Sequence, residues 1–170
     1  MYNTTITLYI RNLTNLKVIL VKAKAWQETQ GYKDEAIMGA HLAVDQFPLV
    51  RQVQMAADLA KKSGAIIAGV EVPSYEDNET TLAELQARVD KTIEFLSSLP
   101  KDVVAPDLDT KMIPYPWVKG KGFIARYYVE EYALPQFYFH YTITYSILRN
   151  FGLSIGKQDF LGTVDLRDLA

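Results

Sequence analysis

The chain has 170 residues, 49% of them apolar and 22% charged, which suits one soluble domain with a large buried core. Its net charge of −2 comes from interspersed signs with no Lys/Arg cluster, so the electrostatic footprint of a nucleic-acid-binding protein is excluded. There is no cysteine, which excludes disulfides, thiol chemistry and cysteine-ligated metals.

The N-terminus lacks a basic region and a small-residue cleavage site, so no signal peptide is expected. The first helix is predicted from about Thr5 to Gln30, with Ile6, Tyr9, Leu13, Leu16, Leu20 and Ala23 on one stripe and Gly31 as its stop. Arg11, Asn15 and Lys22 fall off that stripe. A short helix or turn follows from Asp34 to about Ala43. A second long helix starts near Asp45–Pro48 and ends near Gly69; Asp45 is its expected cap and Pro48 falls in its first turn. Leu49, Val53, Ala56 and Ala60 make the inner stripe, with Arg51, Gln52, Asp58, Lys61 and Lys62 expected outward.

Thr81 and Glu84 form a capping-box pattern that opens the third long helix, in which Leu82, Leu85, Val89, Ile93 and Leu96 face inward. Pro100 ends it. Residues 100–121 are a crossover punctuated by Pro106, Pro114, Pro116 and Gly120, with room for a small hairpin confined to an edge. The fourth long helix is predicted from about Phe123 to Asn150, kinked or interrupted at Pro135, with Gly152 past its end. The tail Gly156–Gly162 is expected to lay Phe160 and Leu161 on the bundle. Four long amphipathic helices in one domain, residues 1–170, make an all-α four-helix bundle.

Tyr132–Leu148 carries no Asp, Glu, Lys or Arg over seventeen residues, yet it is rich in hydroxyls and also holds Gln136 and His140. A charge-free helix is buried, and leaving a buried polar group unpaired costs about 1–3 kcal/mol. This helix therefore builds an internal hydrogen-bond network or lines a pocket. It is too polar and too short for a membrane span, and a cytoplasmic protein without membrane or nucleic-acid partners is expected. The candidate pocket is placed around His140, Tyr138, Tyr141 and Tyr145, with Gln54, Trp117 and Arg51. The competing reading is a metal-dependent enzyme. His41 and Asp45 are four residues apart, and with His140 they would offer two imidazoles and one carboxylate to zinc, iron or nickel. No cofactor is expected in the first reading; zinc or nickel is in the second. A homodimer joined through the aromatic part of the fourth helix is expected, because aromatic residues surround that helix on more sides than one core can cover, and a third reading is a purely structural or partner-binding dimer. No serine-hydrolase, phosphate-loop, zinc-protease or dinucleotide motif occurs.

Six runs occur in order: Asp45-Gln-Phe-Pro-Leu, Arg51-Gln-Val-Gln, Glu79-Thr-Thr-Leu-Ala-Glu-Leu-Gln-Ala-Arg, Leu134-Pro-Gln-Phe-Tyr-Phe-His, Leu148-Arg-Asn-Phe-Gly and Gly156-Lys-Gln-Asp-Phe-Leu-Gly. Together they resemble a family of bacterial and fungal proteins defined as a domain of unknown function and grouped with the DinB/YfiT-like helical bundles. The resemblance implies a four-helix bundle, often dimeric. In the wider group many members hold a divalent metal through three histidines, one on the second helix and an H-x-x-x-H pair on the fourth, and some are thiol-dependent transferases or isomerases. This sequence departs from that pattern: the positions one turn either side of His140 are Gln136 and Thr144, and His41 precedes the second helix. The expected function is a small-molecule-binding or degenerate enzyme-like bundle.

Overall fold

The computed structural model describes residues 2–101, 104–164 and 166–167. Helix α1 spans Thr7–Gln30 and is preceded by a π-helical turn, Tyr2–Ile6. The predicted stripe is its buried face: Ile6, Tyr9, Leu13, Leu16, Leu20 and Ala23 are fully covered. Gly31 closes the helix at φ 71°, a left-handed conformation that costs glycine nothing. Helix α2 is a single turn and a half, Asp34–Met38, shorter than expected, and residues 39–48 form a loop.

Helix α3 spans Leu49–Ala68. Asp45 does not cap it. The N-cap is Pro48, which has no side-chain acceptor, and its extended backbone (ψ 168°) starts the helix abruptly. Proline also holds the residue before it out of the helical region, so the helix cannot reach back across Phe47. Gln52 and Lys61 were expected outward, and both are buried. Each is buried with partners: Gln52 bonds across to α6, and Lys61 lies 3.0 Å from Asp58 and over the ring of Tyr75. Helix α4, Leu82–Ser98, begins with the predicted capping box: Thr81 Oγ1 accepts from the Glu84 amide at 3.2 Å, and the Glu84 carboxylate accepts from the Thr81 amide at 2.9 Å.

Strands β1 (Met112–Pro114) and β2 (Gly122–Ile124) form an antiparallel hairpin in the crossover, with Ile113 opposite Phe123. The last long helix is broken as proline chemistry requires. A short α5, Ala125–Tyr127, runs into a π-helical stretch, Tyr128–Ala133, and then into α6, Leu134–Phe151, with Pro135 in its first turn. Proline at 135 cannot donate to the carbonyl four residues back, and a widened turn absorbs the lost bond. Helix α7, Lys157–Leu161, folds back on α1. Phe160 stacks on Tyr141 at 4.2 Å between ring centres, but Leu161 stays exposed, contrary to expectation.

Helix α3 packs against α4 and α6, α1 packs against α4, and the α1–α6 seam is closed by an edge-on contact of Tyr9 with Phe137 at 4.9 Å. The residues 69–81 are pinned across α3 and α4 by Arg88, which is buried. Its guanidinium meets Asp58 (2.8 Å), Asp77 (2.9 Å) and Glu79 (2.8 Å) and donates to the carbonyl of Glu76. Among the described residues no helix is long and apolar enough to cross a membrane.

Candidate functional site

Five segments of the chain converge beside His140. The ring sits on α6, is buried, and places Nδ1 2.7 Å from Oε1 of Gln52 on α3. The other end of the Gln52 amide donates from Nε2 to the carbonyl of Phe47 at 2.8 Å. A carbonyl oxygen only accepts, so the amide nitrogen must face Phe47 and the amide oxygen must face His140. Nδ1 therefore carries the proton, and Nε2 carries the lone pair of a neutral imidazole. Among the described residues the ring makes no other hydrogen bond. Burial, helped by the Arg51 charge, pushes the His140 pKa down to about 4.

A cavity of about 570 Å³ opens at this ring. Gln52 and Met55 of α3 and Gln136, Phe139 and His140 of α6 form its base. Tyr132 from the π-helical stretch, Trp117 from the hairpin loop, and Asp45, Gln46 and Phe47 from the loop before α3 complete the lining. Three large rings at the mouth remain in water: Trp117 is 78% exposed, Phe139 56% and Phe47 52%. An unpaired acceptor on a buried residue, with exposed aromatic rings around it, is the usual chemistry of a site that orients an apolar molecule through a few polar contacts.

Of the residues singled out in the sequence, His140, Trp117 and Asp45 share this cavity. Tyr138, Tyr141 and Tyr145 do not. At about 100° per residue along a helix, Tyr138, Tyr141 and Tyr145 fall on the side of α6 opposite Gln136 and His140. There Tyr138 Oη accepts from Asn12 at 3.2 Å, Tyr141 Oη donates to the Phe160 carbonyl at 2.7 Å, and Tyr145 meets the Phe160 ring. Burial raises the Tyr141 pKa further above the ordinary phenol range. Arg51 and Gln54 face the acidic loop, paired with Asp77 and Glu79. The aromatic surplus of α6 is thus covered largely by α1 and α7, and Phe139 is its large exposed remainder. Gln46, Phe47, Gln52, Met55, Gln136 and Phe139 line the site but were not among the sequence candidates for it.

His41 is exposed on the loop after α2, with Nδ1 2.9 Å from the Gly39 carbonyl, and does not line the cavity. Among the described residues no three His, Cys, Asp or Glu side chains are grouped to hold a metal ion. Thr144 is buried and donates its hydroxyl proton to the His140 carbonyl at 2.9 Å, and Gln136 is a neutral amide. This donor set does not fit the three-histidine site that the resemblance implies.

The order and packing of the long helices define a helical bundle with a small hairpin in its crossover. A crystal structure of a DinB family member protein from Shewanella denitrificans superposes with a TM-score of 0.89, at 35% identity, over 99% of this chain and 95% of that one. Residues 1–161 match the family described as Domain of unknown function (DUF1993), and the chain belongs to it. None of the curated proteins is similar enough to count as a match.

Proposed function

We propose that the protein binds a compact small molecule in the cavity beside His140, one with an aromatic or apolar body and a hydrogen-bond donor. The observation that supports this reading is the Phe47–Gln52–His140 relay. It fixes the tautomer and presents an unpaired acceptor, Nε2, on a residue that lines an aromatic-rimmed cavity. Binding is favoured over acid–base turnover because a general base works best with a pKa near the operating pH, and this imidazole lies well below neutrality. Indole and phenol are the simplest probes of the stated chemistry. In protein-observed NMR they should shift the resonances of His140 and Met55, and Met55→Trp, which fills the cavity with a larger side chain, should abolish the shift at His140. Absence of any shift at these residues up to the solubility of indole would overturn the reading.

The same reading expects protein purified without a histidine tag to keep far less than stoichiometric zinc or nickel after dialysis against a mild chelator. Near-stoichiometric retention would instead make His41, Asp45 and His140 the first ligands to mutate. A second reading, pairing of two copies over the cavity mouth, draws on the exposed rings of Trp117, Phe139 and Phe47. Light scattering would then give about twice the 19.3 kDa chain mass, and Trp117→Asp would halve it. A wild-type mass of one chain would sink that assembly.

A further inference from the structure

A second cavity, of about 220 Å³, adjoins the first and shares Met55, Trp117, Tyr132 and Gln136 with it. The shared lining places the second cavity further along α3 from His140, where Asp58, one turn past Met55, and Lys62, two turns past it, supply the charged side chains. Asp58 is committed elsewhere. Its Oδ1 lies 3.0 Å from Lys61 and 2.8 Å from buried Arg88, so two cations already neutralise it. Lys62 is half-buried with its ammonium 4.7 Å from the Tyr128 ring centre, and among the described residues it has no carboxylate partner. A half-buried ammonium resting on an aromatic ring in the lining of an apolar cavity is the chemistry of an anion anchor.

We propose that Lys62 binds the anionic head of an amphiphilic monoanion, such as a carboxylate or sulfonate, whose aromatic or alkyl body lies over Met55, Trp117 and Tyr132. The inference rests on the proposed cavity site and names its ligand class. Burial alone lowers the Lys62 pKa, as expected for an ammonium awaiting a counter-charge. Helix α3 fixes the spacing: Met55 and Lys62 are seven residues apart, two turns along one face, so body and head of a single ligand are served by one rigid element.

The test uses two fluorescent probes of one shape on the full chain. Anilinonaphthalene sulfonate carries the anionic head, and phenyl-naphthylamine is its uncharged counterpart. Wild-type protein should bind both, with the sulfonate tighter and weakened by salt. Lys62→Gln should weaken the sulfonate about tenfold, as expected for loss of a hydrogen bond to a charged group, and leave the neutral probe unchanged. Lys62→Arg should restore the sulfonate. Unchanged sulfonate affinity in Lys62→Gln, or equal weakening of both probes, overturns the anion anchor while leaving the cavity reading intact. Failure of both probes to bind wild-type protein overturns both.

Discussion

Nδ1 of His140 lies 2.7 Å from Oε1 of Gln52, a residue 88 positions away in the chain, and this contact ties α6 to α3 at the base of the cavity. Both groups are buried, so each is the other's replacement for water. The pair has a consequence for stability in acid. The folded pKa of His140, about 4, is below its ordinary value of 6.5, so the unfolded chain takes up this proton first as pH falls. Stability from this group is intact above pH ~6.5, drains between ~6.5 and ~4, and is not lost further below that. The loss amounts to at most about 3 kcal/mol. His140→Asn keeps a donor near the Nδ1 position and removes the titration. Urea midpoints at neutral and mildly acid pH should therefore fall for wild-type protein and hold nearly level for the variant. A wild-type midpoint that does not move through this window would refute the burial of a neutral imidazole.

Replacing the partner probes the same pair from the other side. Gln52→Glu puts a carboxylate against Nδ1–H, and an opposite charge at hydrogen-bond distance favours the imidazolium. The His140 pKa, read by NMR from the ring protons, should rise from about 4 past its ordinary 6.5. Gln52→Leu acts differently: it strands both the Phe47 carbonyl and Nδ1, at about 1–3 kcal/mol for each unpaired group. Unchanged ring titration in Gln52→Glu would show that the relay does not set the state of His140.

Much of the fold was legible because helix periodicity and end signals are local. The stripe of α1, the stop at Gly31 and the Thr81/Glu84 box are dictated within a few residues and need no tertiary knowledge. The site was only half legible. His140 and Trp117 stand out by residue type, but placing Tyr138, Tyr141 and Tyr145 beside His140 ignored the helical period, which sends them to the opposite face. Gln52 was assigned to the surface on polarity alone. Its burial depends on a partner on α6 and on the Phe47 carbonyl, and no pattern along one chain segment announces such a pairing. Asp45 failed as a cap because Pro48 sets the helix start after it.

Arg88 holds three carboxylates at once, and removing it should do more than remove contacts. Its side chain is 2% exposed and that of Glu79 9%, whereas Asp58 and Asp77 are over a third exposed. Arg88→Met leaves Glu79 as an uncompensated buried charge, and breaking such a pair costs about 3–5 kcal/mol. Water screens the other two acids, which pulls the expected loss toward the lower end. The residues 69–81 should loosen first, because Arg88 also donates to the Glu76 carbonyl. Hydrogen exchange over this loop, with denaturant unfolding for the global loss, would check both parts. An exchange pattern identical to wild type would show that the loop is held by other contacts.

Gly64 separates two opposing effects. It lies inside α3 and is buried, and alanine would be favoured there by helix propensity, by about 1 kcal/mol. A methyl group at this position, however, would meet Leu96 Cδ2 of α4 at 2.3 Å and Leu99 Cδ1 at 3.0 Å. Leu96 is fully buried and has little room to turn away, so overpacking at about 1–3 kcal/mol should win. Gly64→Ala is expected to lower the denaturation midpoint. Leu96→Ala alone should cost about 2–5 kcal/mol by opening a cavity. Combined, the new methyl fills part of that cavity, and the double variant should be more stable than the sum of the single losses predicts, by about 0.5–3 kcal/mol. Simple additivity across this cycle would mean that α3 and α4 do not approach each other at Gly64 as closely as the structure has them.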